Sequence, residues 1–176
     1  TADDNKGGQG SASFELLVNN VAPTVTIAKL DQKVDCRSNA TLEFSFTDPG
    51  VNDGPWRVEI DWGDGDTETS STDEQGEQSP VYHAYTVPGN YTVTVKVTDK
   101  DEGVGTETAK ITVEQVYAVD FLPPFDDSSP SGLIVNKMKN GRVVPVKATI
   151  YDVCAQAYVT DPTTAVTIKV SKTSGT

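Results

Sequence analysis

Val58-Glu-Ile-Asp-Trp-Gly-Asp-Gly-Asp66 reads as a strand that runs straight into a tight turn. Val58, Ile60 and Trp62 alternate with Arg57, Glu59 and Asp61, so one face is apolar and the other charged. Gly63-Asp64-Gly65-Asp66 follows with residues that tolerate positive φ or bond their own backbone. The same alternation recurs outward in both directions. Tyr91, Val93, Val95 and Val97 share one face of 91–97, and Leu42, Phe44 and Phe46 share one face of 41–47. Shorter runs at Val25–Ile27, Val81–Tyr85 and Thr106–Val113 are separated by turn signals such as Asp48-Pro49-Gly50 and Val87-Pro88-Gly89-Asn90. Glu68–Ser79 lacks apolar periodicity and is expected to be a loop. Many short strands between turns predict an all-β sandwich or barrel.

Asp4–Val18 resembles Asp99–Val113 at a constant offset of 95 residues, with Gly8 matching Gly103 and Gly10 matching Gly105. A period of that size fits a repeated sandwich domain. Residues 1–21 are therefore expected to be the last loop and strand of a preceding copy, with Ser11–Val18 as the strand, plus a linker ending near Pro23. The next copy spans 22–115. After Val116 the composition shifts, with three prolines in the eight residues 123–130. Residues 116–176 are expected to be a small β domain with strands near Leu133–Lys137, Val143–Val153, Tyr158–Thr160 and Ala165–Lys172. Pro145 marks an edge or a bulge.

The formal net charge of −12 argues against a nucleic-acid partner, which needs clustered Lys and Arg. No run approaches the roughly 20 apolar residues of a membrane span, so membrane insertion is not expected. Acidic surface suits divalent cations as well as solubility. Cys36 and Cys154 form no Cys-x-x-Cys pair, and one histidine makes a zinc site implausible. In an exported chain they either bridge the two halves or stand as two buried small side chains.

Ile60-Asp-Trp-Gly-Asp-Gly65 and Val87-Pro-Gly-Asn-Tyr-Thr-Val-Thr-Val-Lys-Val-Thr-Asp99 together resemble a polycystic-kidney-disease-type (PKD) domain over about 22–113. The family's Trp position is Ile60 here and its Phe position is Trp62. The resemblance implies tandem Ig-like β-sandwiches in extracellular arrays or on secreted enzymes, and no catalysis. Phe121-Leu-Pro-Pro-Phe-Asp126 and Lys139-Asn-Gly-Arg-Val-Val-Pro-Val-Lys147 resemble the bacterial PxKF module, with Ala148 in place of its final Phe. That resemblance implies a bacterial surface or secreted protein.

Asp99-Lys-Asp-Glu-Gly103 sets alternate carboxylates in a Gly-terminated loop, and Asp48 and Asp53 sit in a second loop that can converge on it. Asp48, Asp53, Asp99 and Asp101 are thus candidate calcium ligands, against the plainer reading of solvated turns. Asp3 and Asp4 would play the same part in the preceding copy. Asp61, Asp64 and Asp66 are better read as turn caps than as acid–base groups, and His83 has no nucleophile to serve. Trp62 belongs to the core by its parity; Trp56 and Tyr82 are the candidates for an exposed binding row. Asn39-Ala-Thr41 and Asn90-Tyr-Thr92 fit the glycosylation sequon.

These features predict a non-enzymatic, extracellular or cell-surface structural and adhesive segment. Its partners would be other domains of the same polypeptide, neighbouring copies, or an extracellular protein or glycan. The orphan strand Ser11–Val18 suggests polymerisation by strand donation. The alternative is a pair of accessory polymer- or carbohydrate-binding modules of a secreted hydrolase.

Overall fold

The computed structural model describes residues 2–3, 6, 9–10, 13–15, 17, 19–50, 52–123 and 147–160. Among these, backbone pairing makes β1 (Ala2–Asp3), β2 (Gln9–Gly10), β3 (Thr24–Ile27), β4 (Asp31–Asp35), β5 (Asn39–Leu42), β6 (Phe44–Thr47), β7 (Trp56–Asp61) and β8 (Thr67–Thr72). There follow β9 (Gly76–Glu77), β10 (Val81–Ala84), β11 (Gly89–Thr98), β12 (Val104–Glu114), β13 (Tyr117–Leu122), β14 (Lys147–Asp152) and β15 (Ala157–Tyr158). The fold is all-β.

Two layers enclose the core. One is a five-stranded sheet in the order β4-β12-β11-β7-β8. The other consists of β3-β6-β9 and the pair β10-β5. The inward residues are those the alternation places there. Val58, Ile60 and Trp62 from the β7 region lie beside Val93, Val95 and Val97 of β11 on the inner face of one sheet, and Leu42, Phe44 and Phe46 come from the other layer; all are buried. Burying such side chains is worth roughly 1.5–3 kcal/mol each before chain entropy is counted. The layers also fix two ends. At the N-terminal pole, Thr24 pairs with Thr47 and Thr98 with Val104. At the C-terminal pole, Asp35 pairs with Glu114 and Ala84 with Asn39.

Several expectations are corrected. Thr67–Thr72 is a strand, although its Ser, Thr and Glu residues show no apolar periodicity. It pairs along all of β7, from Trp56↔Thr72 to Asp61↔Thr67. The open backbone edge of β7 needs partners, and β-compatible Thr residues supply them whatever faces solvent. The expected single strand 41–47 is two strands that part at Glu43, β5 joining β10 and β6 joining β3. Asp31–Asp35, for which no strand was expected, lies parallel to β12 through Asp31↔Lys110 to Asp35↔Glu114. In the N-terminal segment, Ala2–Asp3 pairs with Gln9–Gly10 where a loop was expected.

The expected strand 11–18 is not formed at its described residues. Ser13, Phe14, Glu15 and Leu17 lie outside any strand, and Phe14 and Leu17 are strongly exposed. A strand needs a neighbour to take its backbone bonds, and none of the described strands pairs there. Beyond Val116, β13 pairs antiparallel with β14 and β14 with β15. The expected strands 133–137 and 165–172, and Pro145, fall outside the described residues, as does Asp4.

Candidate functional site

The N-terminal pole gathers acidic side chains from two loops. Asp48 follows β6 and is 5% exposed. Its Oδ1 accepts from the Gly50 N–H at 2.9 Å and its Oδ2 from Trp56 Nε1 at 2.8 Å. The Gln75 side chain bonds both backbone groups of Asp48. Asp99 follows β11 and is 4% exposed. Its Oδ1 accepts from the Asp101 and Gly103 N–H groups at 2.9 and 2.7 Å, and its Oδ2 from Asn20 Nδ2 at 2.8 Å. Gly103 is required here: a Cβ would lie 2.4 Å from Asp99 Oδ2 and 2.6 Å from Asn20 Nδ2. Asp53 completes the group, its Oδ1 2.8 Å from Lys100 Nζ.

Asp48, Asp53 and Asp99 each offer a carboxylate oxygen within 4.8 Å of the others. Asp101, the fourth candidate from sequence, is not in that group; its carboxylate lies 3.6 Å from Lys100 Nζ, in a more exposed position. The donor set is all oxygen, which fits a hard cation such as calcium rather than a thiophilic or imidazole-seeking metal. Calcium takes about 6–8 oxygens, so three carboxylates would need carbonyls and water to complete a shell. One positive charge is already present. Lys100 reaches Asp53, Asp101 and the Asn52 carbonyl, and the Asp53 hydrogen bond holds its ammonium pKa above the ordinary lysine value.

Asn20 and Lys100 were missed as members of this site. Asn20 reads only as a strand breaker before a proline, and Lys100 only as a spacer between carboxylates. Neither carries a local signal of its partner. Beside the cluster, Asn19, Asn20 and Val21 face Pro49, Gly50, Asn52, Asp53 and Asp101 across an open cleft of about 710 Å³.

A second set lies after β7. Asp61 Oδ1 accepts from the Gly63 N–H at 2.8 Å and Asp64 Oδ1 from the Asp66 N–H at 3.2 Å, so both carboxylates cap the turn. Gly63 has φ 79°, and a Cβ there would meet the Thr92 carbonyl at 2.5 Å. Asp64 Oδ2 lies 2.8 Å from His83 Nε2, and Asp66 joins them within 4.8 Å. Burial pushes the Asp64 pKa up, but the bonds from His83 and the Asp66 N–H outweigh it, leaving it below the usual carboxylate value. His83 stacks on Trp62 at 4.8 Å and meets Tyr85 edge-on at 4.6 Å. Tyr85 stacks on Tyr91, and its hydroxyl donates to the Trp62 carbonyl at 2.9 Å. Burial raises the Tyr85 pKa far above that of a free phenol. Sequence placed these aromatics one at a time; only the fold stacks them. Trp56 is buried against Phe46, while Tyr82 is exposed.

At the C-terminal pole, Cys36 and Cys154 form a disulfide. The Arg37 guanidinium forks onto the backbone beside it, Nε donating to the Val153 carbonyl at 3.0 Å and Nη2 to the Cys154 carbonyl at 2.9 Å. Val153 N–H donates to the Val116 carbonyl at 3.0 Å, and Gln115 Nε2 donates to Asp152 Oδ1 at 2.6 Å.

The model of the PKD domain family matches residues 20–113, the span bounded by these two poles. The chain belongs to the PKD family. Three solved structures illustrate the likeness. The PKD domain of the human VPS10 domain-containing receptor SorCS2 is 21% identical over 61% of this chain and 96% of its own, with a TM-score of 0.38. The first PKD domain of Vibrio anguillarum Epp is 26% identical over 55% of this chain and 98% of its own, at 0.36. A structure of carbohydrate-binding modules from the β-sandwich superfamily is 20% identical over 60% of this chain and 46% of its own, at 0.39. No protein of curated function matches, and the resemblance of 116–172 to the PxKF module has no counterpart among these matches. The PKD region is a non-catalytic module of an extracellular type, and the disulfide is in keeping with an oxidising compartment. Among the described residues no helix is long and apolar enough to cross a membrane.

Proposed function

We propose that this chain is a spacer and adhesive segment of a large exported bacterial surface protein, stiffened by calcium where the N-terminal linker enters the PKD domain. One observation carries the reading. Asn20, in the linker, bonds Asp99 inside the cluster of Asp48, Asp53 and Asp99, so an ion held there would fasten the linker as well. An ion held there would bind the folded chain more tightly than the unfolded one and so raise its stability by mass action. The melting temperature is expected to rise with calcium and fall back with chelator, and Asp48→Asn should abolish the difference. An unchanged melting temperature with and without calcium would reject the ion.

Assembly by strand donation belongs to the same proposal. Phe14 and Leu17 stand exposed outside any strand, and such a segment can add to an open sheet edge of a neighbouring copy. A head-to-tail contact that does not close makes a filament. Light scattering should then give a larger mass for the full chain than for a chain lacking residues 1–20. Equal masses would remove strand donation and leave a passive spacer. The accessory polymer-binding alternative is weakened by the burial of Trp56, which leaves Tyr82 without a second aromatic in its row. Retention on insoluble glycans that is lost in Tyr82→Ala would revive it.

A further inference from the structure

The bridge between Cys36 and Cys154 spans 118 residues and closes a ring that contains β5 through β14. Cys36 directly follows β4, and Cys154 lies in the turn between β14 and β15. We propose that this bridge diverts mechanical tension around the PKD core: a pull on the two chain ends passes along β3 and β4, crosses the sulfurs, and leaves at Cys154.

The register shows what the bridge changes. β4 and β12 are parallel, and both run from the N-terminal pole to the C-terminal pole. Without the bridge, tension would enter at the start of β4 and leave past the end of β12. That would shear the ladder from Asp31↔Lys110 to Asp35↔Glu114 and then load β11 and β7 behind it. With the bridge, β4 is pulled at both of its own ends and β12 hangs slack inside the ring. The core strands inside the ring, β5 to β12, then never lie on the load path, whatever becomes of their hydrogen bonds; of the core strands only β3, with Val25 and Ile27, stays on it.

The surroundings hold the bridge in place. Cys36 and Cys154 are 2% and 4% exposed. Cys36 N–H donates to the Glu114 carbonyl at 3.0 Å, which ties the bridge to the end of β12. The Arg37 fork onto the Val153 and Cys154 carbonyls clamps the same junction without covalent bonds. Arg37 adopts φ 64°, a left-handed conformation unusual for a non-glycine residue. The surrounding contacts hold it there.

Use of this route in a longer polypeptide rests on the spacer reading, but the route itself is tested on this chain alone. The full chain is tethered at both ends and stretched between beads. The oxidised chain should extend only outside the ring. Reductant added to the stretched molecule, or the double variant Cys36→Ser/Cys154→Ser, should release about 400 Å more, at about 3.3–3.6 Å per residue over the 118-residue separation. Equal extension before and after reduction would overturn the proposal. So would alkylation of both cysteines in the unfolded, unreduced chain. If the double variant does not fold, reduction of the natural chain in place gives the same reading. Repeating the pull with calcium and with chelator separates the two ideas: the released length should not depend on the ion, even if the spacer is not calcium-stiffened.

Discussion

The two poles of the PKD domain are fastened by different chemistry. At the N-terminal pole, side-chain bonds to carboxylates do the fastening: Asn20 on Asp99 ties down the linker, and Lys100 on Asp53 and Trp56 on Asp48 order the loops around it. Each of these bonds is non-covalent and reversible. At the C-terminal pole, a disulfide and an arginine fork hold the β13-β14-β15 sheet against the domain. That end is held covalently and opens only on reduction of the disulfide. One end of the module is thus adjustable and the other is locked.

The largest test of this contrast removes the lock. Cys36→Ser/Cys154→Ser should cost about 4–5 kcal/mol, as expected when a ring of roughly 100 residues is opened in the unfolded state. Denaturant unfolding of oxidised and variant chains measures it. A loss well under 1 kcal/mol would mean that the ring adds nothing to stability and that the non-covalent contacts suffice. Breaking the other pole should cost less. Asp99→Ala strips the acceptor from the Asp101, Gly103 and Asn20 donors at a buried position, for about 2–4 kcal/mol. Measured in chelator, that loss isolates the structural role of Asp99 from any ion.

Lys100→Gln sharpens the contrast without a large change in the fold. Its ammonium is the positive charge placed against Asp53 and Asp101. Removing it should make the response of the melting temperature to calcium larger than in the natural chain. A smaller response would mean that Lys100 orders the loop rather than competing for it.

The smallest effect is in acid. The Asp64 pKa is lowered on folding, so its ionised form is favoured in the native state. The stability it adds is fully present above the ordinary value of 3.8 and is lost as pH falls through the lower native value. Asp64→Asn should flatten that part of the acid-unfolding curve while leaving the neutral melting temperature little changed. An identical slope in both proteins would show that the His83 contact contributes nothing there.

Alternation made most of the sandwich legible. Val58, Ile60 and Trp62, then Val93, Val95 and Val97, point inward as their parity requires, because a strand sends successive side chains to opposite faces. The elements that were missed are those whose reason lies elsewhere in the chain. β8 has no apolar face; it forms along the open edge of β7. β4 is mostly charged and is held by a parallel partner far along the sequence. Ser13–Glu15 and Leu17 show the converse, since strand-like residues without a neighbour stay outside any strand. The acidic site was partly legible for the same reason. Asp99 and Asp101 are close in sequence, yet the fold chose Asp48 and Asp53 to join Asp99 and turned Asp101 towards Lys100.

By itself, then, the sequence determined the all-β class, the inward faces of the runs at 41–47, 58–62 and 91–97 and the PKD family, because hydrophobic period and turn chemistry act within a few residues. The tertiary structure alone decided that Asn20 meets Asp99, that Cys36 meets Cys154 and that His83 stacks on Trp62 and meets Tyr85 edge-on. Those contacts join residues distant along the chain, and only packing two sheets into one core brings them within bonding distance.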